Sequence, residues 1–248
     1  TRLKMQTNLI HSYKEFNGKS YPTNIFELFE ERLMPQTVEN FIEYATLALE
    51  SKNKNENKFW FKNYRNFGTI DALAHHKDEL IVIPKSKELI NCNIKSEINK
   101  YGGIPIEKKI FQKYKEEYGL LNRKDILTGP LNKKQAIENL ILAQLLGEGT
   151  LREYVDLRYS DNNENTRNIS LHLPECQNEP AINAWSIGFL DEWTQFNSHL
   201  KLNDADWHLI GINEINLNQS LLSVLSLYGI KKPEQLDEII NSYQRNKK

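Results

Sequence analysis

Cysteine is scarce in this sequence. Two residues, Cys92 and Cys176, in a chain of 248 make neither a disulfide framework nor a metal-ligand set, which favours a reducing, intracellular compartment. Long apolar runs are also missing. None approaches the roughly 18 residues of a membrane span, so no membrane partner is expected. Thr1 to Ile10 contains Arg2 and Lys4 but no apolar stretch of the signal-peptide kind. Neither sign of charge dominates: 32 Lys plus Arg stand against 33 Asp plus Glu. That balance excludes a strongly basic nucleic-acid coat while leaving room for a local basic face.

What is present reads as an ordinary globular chain, 39% hydrophobic with a mean hydropathy of -0.62. Asparagine is abundant, at 28 residues, with many Lys, Ile and Tyr beside it. All four have AT-rich codons, which points to an organellar (mitochondrial) or bacterial genome. Charge divides unevenly near Thr128-Gly129-Pro130. Residues 1–130 carry 21 basic and 17 acidic side chains, whereas 131–248 carry 11 and 16. We therefore read a mixed α/β N-terminal region, 1–130, and a second domain, 131–248.

In the first region, apolar residues three and four apart predict helices over 24–33 and 37–50, interrupted at Pro35. The polar run 51–58 reads as a loop. Strands are expected at 59–64, 68–74 and 79–83, the last two joined through His75-His76-Lys77-Asp78, and a charged helix at 105–118. In the second region, Asn132 with Gln135 forms a capping box opening a helix that ends at Gly147-Glu148-Gly149. Alternation over 150–159 and 167–173 predicts a hairpin with one polar face. A helix over 181–196, strands at 199–202 and 207–212, and closing helices over 217–228 and 233–243 complete the order.

That order, headed by Ile141-Leu142-Ala143-Gln144-Leu145-Leu146-Gly147-Glu148-Gly149, resembles the LAGLIDADG homing endonuclease family. The resemblance implies an α+β fold, helix-strand-strand-helix-strand-strand-helix, in the second domain. It casts Ala143 and Gly147 as the small residues of a helix-packing face. Glu148 takes the place of the catalytic, metal-binding acid, paired with Glu50 in a degenerate first half or with a second copy in a homodimer. Paired carboxylates would hold Mg²⁺ over the scissile phosphates of double-stranded DNA. The hairpin face, with Arg152, Tyr154, Arg158, Arg167, Asn168 and His172, would lie along nucleic acid.

Two alternatives follow from the same residues. An inactive descendant would act as an RNA-binding maturase on structured RNA, or as a structural component of a larger ribonucleoprotein or protein assembly. The stretch from Asp71 to Lys95, with Asn93 where a metal-binding Glu would stand, is also similar to a PD-(D/E)XK core that has become a pseudonuclease. Trp185, Trp193 and Trp207 read as core or interface anchors, and His75-His76 as decoration of a hairpin turn.

Overall fold

The computed structural model describes residues 13–51, 66–92, 96–160, 168–189 and 193–213, with side chains in the first stretch described through residue 46. The chain divides into a compact unit of Lys14–Gly211 and a second unit formed by Thr1–Tyr13 with Ile212–Lys248. The first unit carries the sheet and its helices.

Its centre is a mixed sheet. The strands are β1 (Tyr13–Lys19), β2 (Leu33–Pro35), β3 (Asn66–His76), β4 (Glu79–Ile83), β5 (Ile104–Pro105), β6 (Leu121–Asn122), β7 (Gly129–Leu131), β8 (Asn168–His172), β9 (Ala181–Phe189), β10 (Trp193–Asn197) and β11 (Trp207–Asn213). They run in the order β1-β11-β3-β9-β10-β8-β7, with β2, β4, β5 and β6 paired off this path. The helices are α1 (Tyr21–Glu30), α2 (Val38–Ser51), α3 (Lys87–Ile90), α4 (Lys108–Tyr118), α5 (Lys133–Ile137) and α6 (Leu140–Arg158). Among the described residues, no helix is long and apolar enough to cross a membrane.

Strand periodicity divides the core. Ile70, Ala72 and Ala74 of β3, with Ile182 and Ala184 of β9, join Tyr21, Ile25 and Leu28 of α1 and Phe111 and Tyr114 of α4 in one apolar cluster. At the other parity of β3, Phe67 stacks on Phe41 of α2, with centroids 5.2 Å apart. Asp71, also on that parity, accepts a hydrogen bond from the Val38 amide at 2.6 Å and another from the Lys85 amide at 2.9 Å. A register shift between Gly68 and Ala72 interrupts the pairing of β3 with β9 here. The Ile70 amide donates instead to Gln36 O, and Ile70 O accepts from the Ser86 amide.

Several local expectations agree with this architecture: the 132/135 capping box, the β3–β4 hairpin and the helices near 24–33, 37–50 and 105–118. The second domain's expected order does not. Residues 150–158 are helix, the continuation of α6, rather than a strand. Leu151, Tyr154, Val155 and Arg158 are its buried residues, a spacing of three and four that the alternating charges had obscured. Where a helix over 181–196 was expected, the described residues form β9 and β10 instead. All nine residues of β9, a central strand between β3 and β10, are buried, and a strand covered on both faces shows no alternation. Residues 199–202 are not a strand. The LAGLIDADG-like helix-strand-strand repeat is therefore absent from the described residues. The expected strand at 59–64 and the closing helices after 213 lie outside them.

Candidate functional site

The parallel pairing of β8 with β10 ends in the register Asn197 opposite His172. Just beyond, the Ser198 amide and hydroxyl both donate to His172 O, at 3.0 and 3.3 Å. His199 consequently arrives beside His172, their ring centroids 5.7 Å apart and planes at 61°. Burial lowers the pKa of both rings, and the His172 charge lowers that of His199 further.

A tight turn forms the opposite wall. Asn99 Oδ1 accepts from the amides of Tyr101 (2.9 Å) and Gly103 (3.1 Å), while the Asn99 amide donates to Gly103 O. Gly102 has φ +86, and a Cβ there would lie 2.4 Å from Lys201 Cα. The Leu202 amide donates to Gly102 O at 3.0 Å, locking the turn to the segment carrying His199 and Lys201. Lys100 Nζ sits 4.8 Å from the centroid of the Tyr101 ring. The third wall comes from Arg123, whose amide donates to Asp78 O.

Together these segments enclose a cleft of about 680 Å³. Lys100, Arg123 and Lys201 line it with His172 and His199, and Glu175 is the sole lining carboxylate among the described residues. Among the described residues, none of the three cations is in an ion pair, although Lys14, Lys19, Lys109, Lys115, Lys133 and Lys134 all are. The Arg123 Nε and Nη2 atoms are buried and have no acceptor among those residues. Behind it, His75 Nε2 lies 2.9 Å from Asn183 Oδ1. Burial brings the His75 pKa down to about 4, with a smaller contribution from the Arg123 charge.

Of the described residues expected to be functional, His172 alone lines this cleft. Asn168 opens β8, at the other end of the strand. Glu148 and Arg152 are exposed on α6. Ala143 is half-buried there, and Gly147 breaks the helix with φ 71 and ψ 152. Tyr154 is fully buried, its hydroxyl 2.6 Å from Thr194 Oγ1, and Arg158 is 2% exposed. These two cannot belong to a wet hairpin face, because helical periodicity turns both into the core. Glu50 lies in α2 with its side chain outside the described residues, as is Arg167. Among the described residues, no three His, Cys, Asp or Glu gather as a metal-ligand group. Asp71 is buried with both carboxylate oxygens accepting amides, and positions 93–95 lie outside the described residues.

No protein-family model matches the chain, and no curated protein matches it. One solved structure is similar to it, described as "Accommodation of massive sequence variation in Nanoarchaeota by the C-type lectin fold". The similarity covers 81% of this chain and 97% of that one, with a TM-score of 0.63 and 14% sequence identity. At that identity the likeness concerns fold alone, and it replaces the homing-endonuclease resemblance: the chain has a C-type lectin fold.

Proposed function

We propose that this chain is a binding module whose cleft holds the anionic group of a ligand. The observation that carries the reading is the gathering of Lys100, Arg123 and Lys201 around one space with Glu175 as the sole lining carboxylate among the described residues. Unpaired cations in a concave, partly desolvated site attract anions more strongly than the same charges spread over a convex surface. The volume falls in the range of roughly 300–1,000 Å³ usual for small-molecule sites. Preorganisation supports the same view, since Gly102 and the Ser198–His172 hydrogen bonds fix the walls before any ligand arrives.

The similar solved structure is described as accommodating massive sequence variation. In this chain the cleft's charged side chains and both histidines stand on turns, loops and strand ends. Such a site is open to change without loss of the framework.

Calorimetric titration with phenyl phosphate tests the reading. Lys100→Glu combined with Lys201→Glu changes two exposed side chains and is expected to weaken binding by about tenfold or more, while added salt weakens the parent. Unchanged binding by the double variant would contradict the assignment. Duplex DNA and structured RNA, the partners expected from the sequence, are titrated in parallel. Nucleic-acid binding that survives the double substitution would place the ligand on another face.

A further inference from the structure

The cleft contains two ionisable rings in addition to its fixed cations. His172 ends β8 and His199 follows β10, and the Ser198 hydrogen bonds to His172 O hold the rings against each other. Four chain segments supply the charged and titratable groups lining the same space. The segment ending β8 contributes His172 and Glu175, the segment after β10 His199 and Lys201, the 99–103 turn Lys100 and Tyr101, and the turn after β6 Arg123. Both rings titrate below the ordinary histidine value, so near neutrality the charge that the described residues bring to the cleft comes from the three fixed cations and Glu175.

Adding protons to the rings in the empty cleft is opposed by Lys100, Arg123 and Lys201. A bound anion reverses that balance, because each imidazolium then faces an opposite charge. Linkage makes the effect reciprocal: an anion that raises the rings' proton affinity must itself bind more tightly as protons are added. The directions of the donors also discriminate. One arginine fork can satisfy a planar carboxylate within its plane, whereas a tetrahedral oxyanion presents terminal oxygens in several directions and can use donors from separate segments.

We infer that the cleft takes a tetrahedral oxyanion, a phosphoryl or sulfate ester, and that His172 and His199 take up protons as it binds. This rests on the reading of the cleft as an anion site.

Inorganic sulfate is the suitable probe, since its charge does not change between about pH 5.5 and pH 8, the range in which histidine titrates. Isothermal titration in two buffers of different ionisation enthalpy measures affinity and proton uptake together. Sulfate affinity is expected to rise about tenfold from pH 8 to pH 5.5, with net proton uptake, and acetate is expected to bind more weakly throughout. In the His172→Gln/His199→Gln variant the affinity should change less than about twofold over that range. Sulfate binding without pH dependence or proton uptake in the parent overturns the role of the rings while leaving the anion site standing. Acetate binding as tightly as sulfate overturns the tetrahedral selectivity, and no sulfate binding at any pH overturns both readings. Proton uptake is read on the unsubstituted protein, so the result does not depend on the variant folding. Phenyl phosphate and phenyl sulfate then separate the two esters: the tighter binder identifies the class, and binding of neither overturns the ester assignment.

Discussion

His172 and His199 meet edge to face, with ring centroids 5.7 Å apart, because the last pair of the parallel β8–β10 ladder sets His172 opposite Asn197. The charge of His172 is one cause of the low pKa of His199. Removing it with His172→Gln should raise the His199 titration midpoint toward 6.5, the ordinary histidine value. NMR titration of the ring carbon-bound protons measures this. An unshifted His199 would mean that the rings do not sense each other.

His75 and Asp71 give opposite pH signatures from the same strand. The His75 pKa is brought down to about 4 by burial, so the unfolded chain binds its proton more tightly than the folded one. Its contribution to stability is full above pH 6.5 and is lost as the pH falls toward 4, a loss of about 3 kcal/mol. Asp71 is raised to about 6, again chiefly by burial, so the folded chain holds that proton more tightly. Its contribution is greatest below the unfolded value of 3.8 and is lost as the pH rises through about 6. Relative to the parent, His75→Gln should therefore gain stability between pH 7 and pH 4.5, and Asp71→Asn should lose it, by roughly 1–3 kcal/mol each in urea denaturation. Shifts of the same sign in both variants would contradict the assigned burial.

Two glycines at positive φ should differ in cost. At Gly102 an added methyl meets Lys201 at 2.4 Å on a backbone with φ +86. Gly102→Ala is expected to destabilise by about 2–4 kcal/mol and to disturb the cleft wall. At Gly147, with φ +71, nothing lies within 4 Å of the added Cβ. Gly147→Ala should cost less, about 1–2 kcal/mol, from backbone strain alone, since φ 71 with ψ 152 is a region that side-chain-bearing residues avoid. Thermal unfolding of both variants checks the order, and equal costs would contradict the close approach of Lys201.

Tyr154→Phe probes the helical packing of residues 150–158. Its hydroxyl is buried against Thr194 Oγ1, so the variant should lose about 1–2 kcal/mol of stability while anion binding in the cleft stays unchanged. Loss of binding without loss of stability would favour an exposed functional role.

Local chemistry was readable from the sequence where it acts over a few residues. Asn132 and Gln135 satisfy each other's backbone, and the His75–Asp78 turn joins adjacent strands. Fold identity was not readable. Gly147-Glu148-Gly149 does interrupt a helix, but the chain resumes helix after it rather than entering a hairpin. Arg152, Tyr154, Asp156 and Arg158 alternate like a strand face, yet Tyr154 and Arg158 are four apart and share the buried side of α6. The cleft was hidden for a different reason. Lys100, Arg123, His172 and Lys201 are distant in sequence and are united by strand order, which no local spacing encodes. The one local sign was Lys100-Tyr101-Gly102-Gly103, a glycine turn with an aromatic and a cation at its tip.

Mapping amide and histidine side-chain NMR shifts during titration with phenyl phosphate decides whether the cleft is the anion site. The largest changes are expected at Lys100, Tyr101, Arg123, His172, His199 and Lys201. Changes centred on Glu148 and Arg152 of α6, with the cleft silent, would contradict it.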